Sequence, residues 1–190
     1  MTKTNKILLN CVYLLLTVVT ISLFVITKVQ NNIVLFSILI TFFTTLFHFT
    51  IRFSVANAFY KLIEKNCSYD RWWFREKRFE KKLYRFLMIK KWKRKMPTWN
   101  DGDFSLNQND LKTVADHMCK AEVYHEICML LSFVPVLFSL FWGKFWVFFW
   151  TSVGGCVFDL LFVLIQRYNR PRILKMHSVH CEKIFEEKRE

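Results

Sequence analysis

Glycine and proline are scarce in this 190-residue chain, which has only 4 Gly and 3 Pro. A chain so poor in both residues is unlike loop-rich and disordered proteins. The glycine-rich loops that hold nucleotide phosphates, GxGxxG and the P-loop, are absent from the sequence. The HExxH and GxSxG patterns of metalloproteases and serine hydrolases are absent too. These absences exclude the classes of protein built around those motifs.

Cysteine spacing excludes two further kinds of scaffold. No CxxC pair occurs, and the six cysteines lie at positions 11, 67, 119, 128, 156 and 181. Three of them fall within apolar runs, and the others fall in segments that the charge pattern places in the reducing cytoplasm. We therefore expect neither a disulfide framework nor a zinc ribbon.

Long apolar runs are abundant, and 53% of the residues are hydrophobic. Residues 7–26 form a 20-residue run without a charge, and about 20 helical residues span the ~30 Å hydrocarbon core of a bilayer. The 16-residue run 127–142 needs the preceding helical turn to reach across, and Pro135 is predicted to kink it. The sequence therefore predicts an all-α, multi-pass membrane protein, a single helical domain over residues 1–190 with spans at 7–26, 33–51, 122–142 and 145–166.

Positive charge dominates, with 28 Lys and Arg against 15 Asp and Glu, a net charge of +13. Residues 52–110 hold 15 of these cations and 7 acids, and the tail 167–190 holds 7 and 4. Basic loops stay in the cytoplasm, so the loop 52–120 and both termini are predicted on the inner side of the cell membrane. This topology accounts for the charge, and we expect no nucleic-acid partner.

The basic loop contains an aromatic stretch whose pattern indicates a helix in the lipid headgroup plane. In residues 70–92, DRWWFREKRFEKKLYRFLMIKKW, apolar side chains recur at helical spacing and Lys or Arg fill most other positions. Trp72, Trp73 and Trp92 suit such an interface, so membrane lipids are expected partners. The run KKWKRK at 90–95 favours headgroup binding, with the phosphates of a nucleotide-bearing donor as the alternative.

Ionisable groups lie within or beside the predicted spans, where lipid makes them costly and therefore functional candidates. They are Asp159, His48, Glu122, His125 and Glu126. The predicted topology puts all of them toward the cytoplasmic leaflet. Asp159, for example, lies seven residues, or about 10 Å of helix, from the inner end of its span.

Helical spacing places these groups on shared faces. Glu122 and His125 are three residues apart, and His48 and Arg52 are four apart. A third face continues along the fourth span through Asp159, Gln166, Asn169 and Arg170. We therefore predict one polar cleft just beneath the inner membrane surface.

Each group also has a purely structural interpretation. Asp159 would pair with Arg52 to hold the helices together, and His48 would hydrogen-bond a neighbouring helix. Glu122 and His125 would be solvated at a helix entrance. Their carboxylate and imidazole could also hold a metal together with Glu126, but the spacing does not single this out, and no metal site is predicted.

Three short segments resemble a known family: QRYNRPR at 166–172, KAEVYH at 120–125 and KWKRK at 91–95. Together they resemble the glycosyl-diaponeurosporenoate acyltransferases, small bacterial membrane proteins of staphyloxanthin-type carotenoid synthesis. The likeness covers residues 84–174. The matching residues are Trp92, Lys93, Glu122, His125, Gln166, Arg167, Tyr168, Asn169, Arg170 and Pro171.

The resemblance implies transfer of a fatty acyl group to a sugar hydroxyl of a glycosylated carotenoid acid. It implies no resident cofactor, only an acyl donor such as acyl-CoA or acyl carrier protein and a lipid-linked acceptor. The stretch around Trp72 and the second span with His48 and Arg52 depart from the family pattern, which leaves the acceptor open. Another membrane glycolipid or a lipid alcohol is an equal alternative.

Residue chemistry suggests roles for the matching side chains. His125 is the candidate general base, because imidazole titrates near working pH, and Glu122 is expected to orient its ring. Asn169, Arg167 and Arg170 are expected to donate to an oxyanion or a donor phosphate. The other candidate substrate-binding residues are Gln166, Tyr168, Trp92, Lys93, Asp159, His48 and Arg52.

A second hypothesis belongs to a different class. The protein would be a non-catalytic membrane subunit that docks a cytoplasmic partner on its basic loop. The polar groups of the spans would then only hold helices together. Charge reversal in residues 90–95 would abolish partner binding under this hypothesis, and loss of His125 would have little effect.

Overall fold

The computed structural model describes residues 3–96, 102, 104, 105 and 109–187. It is 84% helical, and none of the described residues is in a strand. The α-helices are α1 Lys3–Gln30, α2 Ile33–Asn66, α3 Glu80–Phe86, α4 Ile89–Trp92, α5 Leu111–Leu131, α6 Val134–Trp142 and α7 Phe145–Glu187. Short 3₁₀ turns occupy Trp72–Phe74 and Lys93–Lys95. The predicted all-α class is confirmed.

Membrane-spanning capacity is confirmed as well. Within the described residues, four helical stretches are long and apolar enough to cross a bilayer: Ile7–Gln30, Ile33–Ala58, Leu111–Trp142 and Phe145–Met176. Each contains one of the predicted spans. Their apolar side chains are widely exposed, for example Leu14 at 64% and Phe141 at 82%. Such surfaces suit lipid and not water.

The contacts of the chain fall into two compact units, where the sequence predicts one domain. The membrane unit comprises residues 2–60 and 126–160. The basic unit comprises residues 61–125 and 161–190, together with residue 1. Each unit is described by itself below.

The predicted kink at Pro135 is wrong in form, because the structure has a break. α5 ends at Leu131 and α6 begins at Val134, with Pro135 in its first turn. A proline in the first turn loses no helical hydrogen bond, because the first N–H groups of a helix have no partner within it. Pro135 therefore begins a new helix instead of bending an old one.

A proline usually ends or bends a helix, so the sequence predicts that the last helix ends at Pro171, and this prediction is wrong. α7 continues through Pro171 to Glu187, although proline removes one backbone hydrogen bond and usually bends a helix. Side chains on both sides hold this part of the helix. Arg170, only 2% exposed, donates to the carbonyl oxygen of Phe74, and Arg172 donates to the carbonyl oxygen of Tyr168 at 3.1 Å.

The continuous headgroup-plane helix predicted over residues 70–92 is replaced by short pieces. Met88, with φ of +49°, separates α3 from α4. α3 buries Glu80 and Tyr84, while Phe79 and Phe86 are 61% and 81% exposed. The segment therefore has an exposed aromatic face, as predicted, and also a buried polar face that the prediction lacked.

In the membrane unit, α2 and α7 approach each other closely at Gly155. A Cβ atom built on Gly155 would lie 2.9 Å from Cε1 of His48, whereas one built on the neighbouring Gly154 meets nothing within 4 Å. A separation under 3.0 Å is too short for real carbon contacts. Of these two glycines, only Gly155 has no room for a side chain unless the buried His48 ring moves.

This difference gives a prediction with a built-in control. Gly155→Ala should destabilise the protein by about 1–3 kcal/mol, because the methyl group overpacks the contact. Gly154→Ala should be neutral or slightly stabilising, because alanine favours helix. His48→Ala should relieve the defect of Gly155→Ala. Melting midpoints in detergent measure all three, and equal effects of the two glycine variants would contradict the packing argument.

Candidate active site

Glu122 is the centre of a buried ion-pair network in the basic unit. Its side chain on α5 is fully buried. Oε1 accepts a hydrogen bond from Nη1 of Arg167 at 2.6 Å, and Oε2 accepts one from Nη1 of Arg170 at 2.5 Å. The two arginines are three residues apart on α7 and therefore share a face. Each carboxylate oxygen thus has its own guanidinium, a charge-assisted arrangement.

A second carboxylate, Glu80 of α3, extends this network. Its Oε1 lies 2.8 Å from Nη2 of Arg167, and its Oε2 accepts the hydroxyl of Tyr84 at 2.8 Å. Burial, and then the Glu80 carboxylate, raise the pKa of Tyr84, so the phenol stays protonated and donates. Side chains from three helices are thereby joined around two carboxylates.

The same arginines also fix the Trp72–Phe74 turn. Arg167 donates to the carbonyl oxygen of Trp73 at 3.2 Å. Arg170 donates through Nε and Nη2 to the carbonyl oxygen of Phe74, at 3.2 and 2.5 Å. We expected these guanidiniums to bind an oxyanion. In the structure they donate to Glu122 and to these backbone carbonyl oxygens, and oxyanion binding stays a prediction.

His125, the candidate base, lies one turn after Glu122 on α5 and is partly buried. Its ring stacks on Phe162 with a centroid separation of 4.6 Å and an interplanar angle of 9°. The neighbouring Tyr124 contacts the ring edge-on at 4.9 Å. We expected Glu122 to orient this ring. Both Glu122 oxygens accept from arginine, and Phe162 packs against the plane of the imidazole. The orienting role of Glu122 stays a prediction.

One face of α7 carries Phe162, Gln166 and Asn169, which follow each other at intervals of four and three residues. All three side chains are partly buried, so the face is neither sealed nor fully solvated. From Phe162 to Asn169 the helix rises about 10 Å. The His125 ring therefore lies at one end of a face that ends in two amide side chains.

Lys93 meets this face at Asn169. Its Nζ donates to Oδ1 of Asn169 at 2.6 Å and lies 4.7 Å from the ring centroid of Tyr168. Burial, and then the charges of Arg172, Arg94 and Lys90, lower the pKa of Lys93. The structure thus joins Lys93, Tyr168 and Asn169, three of the predicted residues.

Trp92 belongs to the packing beneath this region. Its indole nitrogen donates to the carbonyl oxygen of Leu87 at 2.8 Å. It packs against a cluster of buried residues, Tyr84, Ile89, Leu164 and Tyr168. Within it the rings of Tyr84 and Tyr168 meet edge-on at 5.5 Å. Trp92 therefore supports Tyr168 from within the fold.

An open groove of about 710 Å³ is lined in part by these two tyrosines. It has six basic residues and one acid, and the rest of its lining is tyrosine, methionine and proline. The lining residues are Glu76, Lys81, Tyr84, Arg85, Met88, Lys90, Lys91, Tyr168, Pro171, Arg172 and Lys175. This groove was not predicted from the sequence as a cavity.

The remaining predicted residues come together in the membrane unit. Nη2 of Arg52 lies 2.5 Å from Oδ2 of the fully buried Asp159. Arg52 also donates to the carbonyl oxygens of His48 and Gly155, at 2.8 and 3.1 Å. The predicted residues thus form two groups, one within each unit. The single cleft expected from the sequence stays a prediction.

Removing Arg52 alone should destabilise the protein, because Asp159 would keep a buried charge without this guanidinium. We expect Arg52→Leu to cost about 2–3 kcal/mol. Arg52→Leu combined with Asp159→Leu should recover most of that loss, since a buried pair contributes little over apolar residues. Melting midpoints in detergent report both effects. A double variant as unstable as the single one would contradict this interpretation.

Metal ligation receives no support from the structure. Among the described residues, no three His, Cys, Asp or Glu side chains are grouped so that they could hold an ion. Glu80, Tyr84 and Phe162 are participants that sequence reasoning missed. A signal existed for the first two, because they are four residues apart and share a helical face opposite the aromatic one.

Comparison with known proteins finds a family match over the part of the chain that contains this site. A family model described as glycosyl-4,4′-diaponeurosporenoate acyltransferase matches residues 70–179, more than half of the 190 residues. The match includes the Glu122 network, His125 and the α7 face. No curated protein and no solved structure matches the chain. The resemblance inferred from three short segments is therefore confirmed, and the chain belongs to the glycosyl-4,4′-diaponeurosporenoate acyltransferase family, membrane acyltransferases of carotenoid biosynthesis.

Proposed function

We propose that the protein transfers a fatty acyl group from an activated donor to a hydroxyl of a lipid-linked sugar, such as a glycosylated carotenoid acid. Family membership supports acyl transfer in carotenoid biosynthesis. One observation carries the chemistry. The His125 ring is partly buried and stacked on Phe162, on the α7 face that also carries Gln166 and Asn169.

In the proposed reaction His125 is the general base. The acceptor hydroxyl oxygen attacks the acyl carbonyl carbon while the imidazole takes the hydroxyl proton. A new C–O bond forms, and the carbonyl electron pair moves onto its oxygen. When the tetrahedral intermediate collapses, the bond to the leaving group breaks, and the imidazolium returns the proton to that group. The products are an ester and the free donor carrier.

The developing oxyanion needs donors on the same face. Asn169 presents its oxygen to Lys93, so its amide hydrogens point away from the ammonium, and we propose that they donate to the oxyanion. The Gln166 amide, one turn earlier, is the second proposed donor. Two positioned amide donors in a partly dehydrated site stabilise an oxyanion strongly, and loss of one such donor costs about 2.7–4 kcal/mol in known cases.

Glu122, Arg167 and Arg170 have a positioning role in this proposal. They connect α5, which carries His125, to the segment of α7 that carries Gln166 and Asn169. A displacement of about 1 Å between reacting groups reduces rates by about 10²-fold. The buried network therefore supports catalysis without contact with substrate.

We propose that the reaction takes place at the cytoplasmic leaflet. The basic unit contains most of the loop 52–120, and basic loops stay in the cytoplasm. Both termini are proposed to lie on the same side. In the membrane unit, Arg52, Asp159 and His48 are proposed to hold helices together, because the Arg52 donors bond Asp159 and the two carbonyl oxygens.

Transfer by the purified protein tests the proposal. Full-length protein in nanodiscs is supplied with a glycosylated carotenoid acid and, separately, a labelled acyl-CoA, acyl carrier protein or phospholipid. Mass spectrometry should find acceptor heavier by one acyl group, and mild alkali should release it as an oxygen ester does. Empty nanodiscs are the control. Absence of labelled glycolipid with all three donors would favour the alternative of a non-catalytic docking subunit.

A further inference from the structure

The groove beside Tyr84 and Tyr168 is strongly cationic. Six of its eleven lining residues are Lys or Arg, and its one acid, Glu76, lies 3.5 Å from Lys81 in an ion pair. Lys90 and Lys91 of α4 are exposed at its edge. Lys and Arg gathered around a concave, open surface attract anions and raise their local concentration. The ligand that fits this charge is a polyanion.

Two of the lining residues, Tyr84 and Tyr168, are almost fully buried. The Arg172 guanidinium lies 3.4 Å from the ring centroid of Tyr168 and donates to the carbonyl oxygen of that residue at 3.1 Å. Tyr84 supports the ring from the buried side. A guanidinium held over an aromatic ring is an oriented donor for phosphate oxygens. The groove therefore offers a fixed phosphate ligand, the Arg172 guanidinium held over Tyr168.

Shape and composition together favour a nucleotide. A volume of about 710 Å³ lies within the ~300–1,000 Å³ range of small-molecule sites. A flat base fits against Met88 and Pro171 of the lining, and several phosphates fit the ring of cations. A single lipid headgroup phosphate would use only part of that charge. An acidic protein would need a surface and not a pocket.

We infer that the groove binds the nucleotide end of a coenzyme A thioester, the acyl donor of the proposed transfer. The inference rests on the proposed function, because it names the donor for the same site. Lys93 connects the two regions, since it lies over Tyr168 at the groove and bonds Asn169 on the candidate catalytic face. The phosphates would dock in the groove, and the thioester arm would extend along α7 toward His125.

Binding of adenosine 3′,5′-bisphosphate to full-length protein in phosphatidylcholine nanodiscs tests this inference. We expect saturable binding at 0.15 M salt, where exposed charges are screened beyond about 8 Å. Lys90→Gln combined with Lys91→Gln should raise the Kd by about tenfold or more, because phosphate loses charge-assisted partners. The matched control, Arg94→Gln with Lys95→Gln, removes two exposed charges from the same run outside the groove lining, and should change the Kd by less than about threefold.

Several outcomes would overturn the inference. The first is that the wild-type protein shows no saturable binding, and the second is that the two variant pairs lose equal affinity. The third is that the bisphosphate does not bind, whereas acyl carrier protein binds and only the Lys90→Gln, Lys91→Gln pair abolishes that binding. Phosphatidylglycerol added to the nanodiscs tests whether a lipid headgroup occupies the groove instead. If it does, the lipid would displace the bisphosphate, the two variant pairs would no longer differ in Kd, and the inference would be overturned. The assay contains no acceptor and no acyl group. Its failure is therefore distinguishable from failure of the acyl-transfer proposal.

Discussion

Glu122→Gln is expected to destabilise the basic unit by about 3–5 kcal/mol, the range for breaking one side of a buried ion pair. The glutamine has the same shape but no charge. Its NH₂ group is a hydrogen-bond donor and would face the N–H donors of a guanidinium. Arg170, at 2% exposure, would then keep a buried positive charge that has lost its carboxylate. The melting midpoint in detergent, followed by tryptophan fluorescence, should fall on the order of 10 °C.

Glu76→Gln is the matched control for this variant. Glu76 is in the same unit, and its pair with Lys81 spans 3.5 Å with the lysine side chain 69% exposed. Exposed pairs contribute about 0–1 kcal/mol, so this change should leave the midpoint nearly unchanged. Equal midpoints for the two glutamine variants would show that the Glu122 network does not hold the fold together.

The membrane spans could be predicted from the sequence because their cause is local. Hydrocarbon excludes charge wherever the helix goes, so a run such as residues 7–26 is recognisable without knowledge of its neighbours. The two prolines show the limit of local rules. Pro135 begins a helix and Pro171 lies inside one. The difference depends on contacts around Arg170 that come from residues far away in sequence.

The basic stretch over residues 70–92 shows the same limit for side chains. Its spacing supports an exposed aromatic face and also a buried face containing Glu80 and Tyr84. Lipid alone would explain the first face. The second requires the partner Arg167, which is 87 residues away. The sequence identified Glu122, Arg167 and Arg170 as candidates, but residue type could not show that they pair with one another.

His125→Phe is expected to reduce acyl transfer by about 10²–10⁴-fold, the usual contribution of a general base. Phenylalanine keeps a flat ring that can stack on Phe162, so the packing of α5 on α7 is retained while the proton acceptor is lost. The readout is the rate of labelled glycolipid formation in nanodiscs, measured at saturating donor and acceptor. The melting midpoint should stay close to that of the wild type.

Substitution of a second histidine on the same helix is the control that distinguishes a chemical role of His125 from a general effect of losing an imidazole. His117 lies eight residues before His125 on α5 and has no part in the proposed reaction, so His117→Phe should retain most of the rate. His125→Ala adds a further comparison, because it removes both the base and the stack. If His125→Phe keeps wild-type activity while His125→Ala loses it, the ring serves only packing, and the proton must be taken by another group. If both variants are inactive at normal stability, the imidazole nitrogen itself is required, which is the outcome that the partly buried stack on Phe162 leads us to expect.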